Sequence, residues 1–124
     1  MNANPVAILV IEDNKALGEM VKRRLSQLGY AVFIADNGAQ GWELLKTMTP
    51  SIILLDIHLP DKSGWEVAAE LKANADTAQI PIIAVTAHAM SGDRQRAIGA
   101  GCNDYTTKPI DFHALNEKIK YLIN

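Results

Sequence analysis

Short apolar runs rich in β-branched residues alternate along the chain with stretches whose apolar residues recur every three or four positions. The runs are Val6 to Ile11, Val32 to Ile34, Ile52 to Leu55 and Ile82 to Val85. Runs this short and this free of polar residues predict strands buried on both faces. A fifth strand is expected near Asp104 to Thr106, on its position after a glycine-marked helix end more than on its composition.

Between the first two runs, Leu17, Met20, Val21, Leu25 and Leu28 form an apolar helical stripe, with Asn14 as N-cap and Gly29 as the terminating residue. Trp42, Leu45 and Met48 predict a second helix closed by Pro50, and Val67, Ala68 and Leu71 a third. A fourth is expected to start near Ser91 and stop by Gly99 or Gly101. The last is capped by Asp111 and buries Phe112, Leu115, Ile119 and Leu122. Five strands alternating with five helices require right-handed crossovers and a parallel sheet covered on both sides, a doubly wound α/β sandwich. With no internal repeat or linker, residues 1–124 are expected to form a single domain, leaving no room for an output domain.

Charge narrows the functional classes. The 12 Lys+Arg against 14 Asp+Glu give a net charge of −2, and the densest basic stretch, Lys22-Arg23-Arg24, falls on a helical pattern as a solvated face. Direct nucleic-acid binding, which needs a basic surface, is disfavoured. Cys102 is the one cysteine, so no intrachain disulfide can form, and a reducing compartment fits. No apolar run approaches a membrane span, and the N-terminus lacks the layout of a signal peptide. A soluble, cytoplasmic protein is expected.

The candidate chemistry lies where the apolar runs stop. Glu12 and Asp13 follow the first strand, Asp56 the third, Thr86 the fourth and Lys108 the fifth. All therefore fall at carboxyl ends of parallel strands, the edge at which open α/β sheets bind ligands. Three carboxylates gathered there repel one another unless a cation shares the site, and Mg²⁺ suits an all-oxygen set. Asp13 and Asp56 are candidate direct ligands, and Glu12 holds a metal-bound water or ligates directly. Asp56 is placed to attack a phosphoryl group, Lys108 to neutralise the phosphoryl oxygens and Thr86 to donate a hydrogen bond to one of them.

Five segments carry a resemblance that spans essentially the whole chain: Val10-Ile11-Glu12-Asp13-Asn14, Ile53 to Pro60, Ser63-Gly64, Pro81 to Ala87, and Asp104 to Pro109. They resemble the receiver domains of two-component response regulators, of the CheY and DivK kind. The resemblance implies a (βα)₅ fold with strand order 2-1-3-4-5 and phosphorylation of Asp56 by a sensor histidine kinase or a histidine phosphotransfer protein. It also implies that Glu12 and Asp13 form the acidic pair, that the His58 backbone carbonyl completes the Mg²⁺ shell, and that Thr86 and Tyr105 form a switch pair. A cis Lys108-Pro109 bond belongs to the same pattern. His58 and His88, two residues after Asp56 and Thr86, occupy positions that tune the lifetime of the phosphoryl group. Partners would read the state on the face of the fourth helix, fifth strand and fifth helix, where phosphorylation could also drive homodimerisation. Glu12 departs from the more frequent Asp at its position.

Other readings compete. An aspartyl-phosphate phosphatase also uses Asp and Mg²⁺, but it would place a second Asp two residues after the nucleophile, where this chain has His58. A binding module regulated without phosphate would be expected to lose part of the acidic and basic set. The chain could also be a receiver excised from a hybrid kinase or a longer regulator. His58 and His88 alone make a weak transition-metal site.

Overall fold

The computed structural model describes residues 6–87 and 93–123. Strands β1 (Ala7–Ile11), β2 (Ala31–Ala35), β3 (Ile52–Asp56), β4 (Ile82–Thr86) and β5 (Asp104–Thr107) alternate with helices α1 (Lys15–Gln27), α2 (Gly38–Leu45), α3 (Gly64–Ala73), α4 (Asp93–Gly99) and α5 (Phe112–Ile123). All pairings are parallel, and the strand order is β2-β1-β3-β4-β5, as expected.

Alternation along each strand divides the core in two. Leu9, Ile11, Ile53, Leu55, Ile82 and Ala84 face one side and pack with Val67, Ala68 and Leu71 of α3, Ala97 of α4 and half-buried Trp42 of α2. Ile8, Val10, Ile52, Leu54, Ile83 and Val85 face the other and meet Val21 and Leu25 of α1 with Phe112, Leu115 and Ile119 of α5. Successive side chains point to opposite faces, so a strand covered on both sides must be apolar at every position. β3 and β4 are buried throughout. At the two edges the demand relaxes: Phe33 of β2 is exposed, and β5 is polar and only partly buried.

The helix ends follow local chemistry. Asn14 caps α1 by accepting the Leu17 N–H at 3.0 Å. The chain leaves that helix through Gly29, whose φ of 98° lies in the left-handed region that glycine enters without steric cost. Asp111 accepts the Ala114 N–H at 3.1 Å at the start of α5. Two expectations need correction. Met20 and Leu28 do not join the buried stripe of α1 but are exposed, because Val21 and Leu25 with Gly18 already fill the contact with the sheet. The second helix ends at Leu45, short of Met48 and Pro50, through a turn in which the Thr47 and Met48 N–H groups both donate to the Leu44 carbonyl.

Candidate functional site

The site lies at the carboxyl edge of the sheet, between the ends of β1, β3, β4 and β5. Register brings these ends level: Ile11 pairs with Leu55, Asp56 with Val85 and Thr86 with Thr107. Residues that follow separate strands are thereby delivered to one place. Carboxylate oxygens of Glu12, Asp13 and Asp56 all lie within 4.8 Å of one another. Glu12 and Asp56 are buried, and Asp13 is exposed at the mouth.

Lys108 closes the group. Its Nζ is 3.4 Å from Glu12 Oε1 and 3.4 Å from Asp56 Oδ2. The Lys108 N–H donates to the Thr86 carbonyl at 2.8 Å, which ties the residue after β5 to the end of β4. The Lys108-Pro109 bond is cis. Backbone donors serve the two buried acids: Asp56 Oδ1 accepts the His58 N–H at 3.0 Å, and Glu12 Oε2 accepts the Asn14 N–H at 3.1 Å.

One cation beside three carboxylates leaves an excess of negative charge. Separately, burial pushes the Glu12 pKa up to about 7, helped by its hydrogen bond to Asp56 and opposed by the Asn14 amide and Lys108. Three carboxylates beside one lysine leave a charge imbalance that an additional cation would offset. The donors present are all oxygens, the chemistry a hard divalent ion selects.

Gly64 explains the Ser63-Gly64 segment. A Cβ there would stand 2.5 Å from the Asp56 carbonyl oxygen and 2.6 Å from Ile57 Cα, so only glycine lets α3 begin against the end of β3. The Gly64 N–H donates to the Ile57 carbonyl at 2.8 Å and closes the intervening loop. Beside that loop a cleft of about 450 Å³ opens next to Asp13, lined by His58, Lys62, Ser63, Trp65 and Arg96. The Arg96 guanidinium lies over the Trp65 ring, 5.2 Å from its centroid, and links α4 to α3 across the cleft.

Thr86 is buried at the end of β4. Tyr105 of β5 is half-buried, with its ring against the core on the α3–α4 side. Lys118 of α5 holds this strand: its Nζ donates to the Tyr105 carbonyl at 2.8 Å, pairs with Asp104 at 3.3 Å and stands 5.6 Å from the Tyr105 ring centroid. The sequence reading did not single out Lys118, since a lysine among several on an amphipathic helix carries no distinguishing mark. His88 lies outside the described residues, as does Ser91. His113 is exposed, and Cys102 is buried with its thiol pKa pushed up to about 11 by burial.

Comparison with known proteins places this arrangement in a family. The response regulator receiver domain family matches over residues 8–120, and the chain belongs to that family. The polar-differentiation response regulator DivK of Brucella anthropi is 37% identical over 116 residues, covering 94% of each chain. Among solved structures, the receiver domain of a sensor histidine kinase from Pseudomonas aeruginosa, with a magnesium ion coordinated in its active-site cleft, superposes with a TM-score of 0.87 at 33% identity, covering 96% of this chain and 98% of that one. The receiver domain of a histidine kinase from Syntrophus aciditrophicus gives 0.86 at 29% identity, covering 94% and 89%. The protein is thus a receiver domain of two-component signal transduction, and the phosphatase reading has no support in its relatives. Among the described residues, no helix is long and apolar enough to cross a membrane.

Proposed function

We propose that the protein accepts a phosphoryl group on Asp56 from a sensor histidine kinase or a histidine phosphotransfer protein, and signals through the face formed by α4, β5 and α5. The observation that carries this reading is the meeting of Glu12, Asp13, Asp56 and Lys108 at one sheet edge. Asp13, Asp56 and the His58 backbone carbonyl are the groups that would hold Mg²⁺, with Glu12 orienting a water or ligating directly. Bound there, Mg²⁺ would draw electron density from the phosphoryl group and hold its oxygens.

One carboxylate oxygen of Asp56 forms the new O–P bond while the P–N bond to the donor's phosphohistidine breaks. The leaving imidazole keeps the electron pair and takes up a proton from water. Lys108 offsets charge on the phosphoryl oxygens, and the Thr86 hydroxyl donates a hydrogen bond to one of them. The aspartyl phosphate carries about two negative charges where the Asp56 carboxylate carried one, beside Lys108 and Thr86, and draws both inward. Tyr105 then turns into the space Thr86 leaves, and the α4–β5–α5 face repacks. Ile98 of α4 and Tyr121 of α5 are exposed and offer apolar contact to a downstream protein or a second copy.

On this reading residues 1–124 act as one receiver unit in the cytoplasm, a switch that catalyses its own phosphorylation and slow hydrolysis without an external substrate. His58 and His88 shape access of the attacking water and so set the phosphoryl lifetime. The same chemistry would serve a receiver joined to a hybrid kinase, an option favoured by the likeness to the Pseudomonas aeruginosa and Syntrophus aciditrophicus domains. The test is transfer from a phosphorylated histidine phosphotransfer protein in Mg²⁺. The label is expected to move to the parent and not to Asp56→Asn. Transfer to both, or to neither, contradicts the proposal.

A further inference from the structure

Asp61 stands on the surface, three residues past His58 in the loop from β3 to α3, and its carboxylate reaches out of that loop to another element. Oδ1 accepts the Gly38 N–H at 3.1 Å and Oδ2 the Ala39 N–H at 3.1 Å. These are the first amides of α2, which have no partner within their own helix. The next, Gln40 N–H, is taken at 2.8 Å by Asn37, the helix's own cap. The start of α2 is therefore shared between a local cap and a carboxylate 22 to 23 residues later. Space there is tight: a Cβ on Gly38 would come 3.2 Å from Val67 Cγ2 and 3.3 Å from Asp61 Oδ2.

The same loop is fastened at its other points. Asp61 Oδ1 also accepts the Lys62 N–H at 3.1 Å, Lys62 pairs with Glu70 of α3 at 2.8 Å, and the Gly64 N–H closes onto the Ile57 carbonyl. Inside it, the His58 N–H donates to Asp56 Oδ1. A carboxylate at a helix N-terminus is favoured by two charge-assisted hydrogen bonds and by the helix dipole. Those interactions hold the Asp61 carboxyl below its usual range, with the Gly38 amide the largest cause.

We propose that Asp61 is a positioning residue for the phosphorylation site. By fastening the β3–α3 loop to the N-terminus of α2, it holds the His58 carbonyl where Mg²⁺ can use it together with Asp13 and Asp56. The inference rests on the Mg²⁺-dependent reading of the site. Without the fastening the loop occupies more conformations, and the apparent metal affinity falls by the fraction of them that can bind. Chemistry at saturating metal is unaffected, because Asp61 touches neither the nucleophile nor the phosphoryl group.

Mg²⁺ titration followed by tryptophan fluorescence tests this in the parent, Asp61→Ala, Asp61→Asn and Asn37→Ala. Asp61→Ala is expected to raise the Mg²⁺ dissociation constant about tenfold, the low end for loss of a group that supports a metal ligand. Its phosphorylation rate by acetyl phosphate at saturating Mg²⁺ stays near that of the parent. Asp61→Asn, which keeps an acceptor oxygen and not the charge, recovers part of the affinity and serves if the alanine variant does not fold. Asn37→Ala removes a cap of the same helix without touching the loop, so it lowers the melting temperature and leaves the Mg²⁺ constant unchanged. An unchanged constant in Asp61→Ala, or an equal shift in Asn37→Ala, overturns the proposal. A parent that binds no Mg²⁺ overturns the metal reading and this inference with it, whereas a parent that binds beside an unaffected Asp61→Ala removes Asp61 alone.

Discussion

Lys108 Nζ stands 3.4 Å from Asp56 Oδ2 although 52 residues separate the two in sequence. The contact exists because β3 and β5 end at the same edge on either side of β4, and it sets one positive charge against the buried Asp56 carboxylate. Lys108→Ala is therefore expected to slow aspartyl-phosphate formation about 100-fold, as loss of a preorganised charge at a transition state does. Rates with acetyl phosphate at fixed Mg²⁺ measure this. A rate close to the parent's would leave Lys108 without its assigned role.

Glu12 makes stability depend on pH in a stated direction. Its folded pKa of about 7 lies above the usual 4.5, so its contribution is fully present below pH 4.5 and is lost as pH rises through 7. The shift corresponds to roughly 3 kcal/mol at most. In chelator, the melting temperature of the parent relative to Glu12→Gln is expected to fall between pH 5 and 8, and Mg²⁺ is expected to flatten the difference. A relative melting temperature that rises with pH in chelator would mean that burial does not hold the Glu12 carboxyl above its usual range.

Two glycines should respond oppositely to alanine. At Gly64 the added Cβ meets the backbone of Asp56 and Ile57, so Gly64→Ala should destabilise by about 2 kcal/mol. At Gly99 it meets nothing within 4 Å, so Gly99→Ala should be neutral or stabilising by up to about 1 kcal/mol. Urea denaturation of both variants decides. Equal effects would show that α3 does not begin as tightly against β3 as described.

Cys102 is expected to resist alkylation. Burial removes access and raises the thiol to about 11, leaving little thiolate at neutral pH. Iodoacetamide at pH 7.5 should label the denatured protein fully and the folded protein only at the rate of opening. Rapid labelling of the folded protein would place the thiol at the surface.

How much of this was legible in the sequence follows from what each residue depends on. The inner strands announce themselves because burial on both faces leaves no polar position in Ile52–Leu55 or Ile82–Val85. The polar edge strand β5 could be placed only by its neighbours, since one face of Asp104–Thr107 needs little apolar cover. Glu12, Asp13, Asp56 and Lys108 were legible because each directly ends or follows a strand of a parallel sheet. The apolar stripe of α1 was read too wide: chain pattern does not reveal that Gly18, Val21 and Leu25 suffice and leave Met20 in solvent. Asp61 left no signal, because its partners are backbone amides on a distant helix, and an amide has no side chain to mark it.

Asp56 is proposed to accept the phosphoryl group, and its neighbours are proposed to make it able to. Intact-mass measurement after incubation with acetyl phosphate and Mg²⁺ tests it most directly. The parent should gain one phosphoryl group, lost on chelation before the incubation and absent in Asp56→Asn. An unmodified parent, or an Asp56→Asn variant that gains the group equally, would contradict the account.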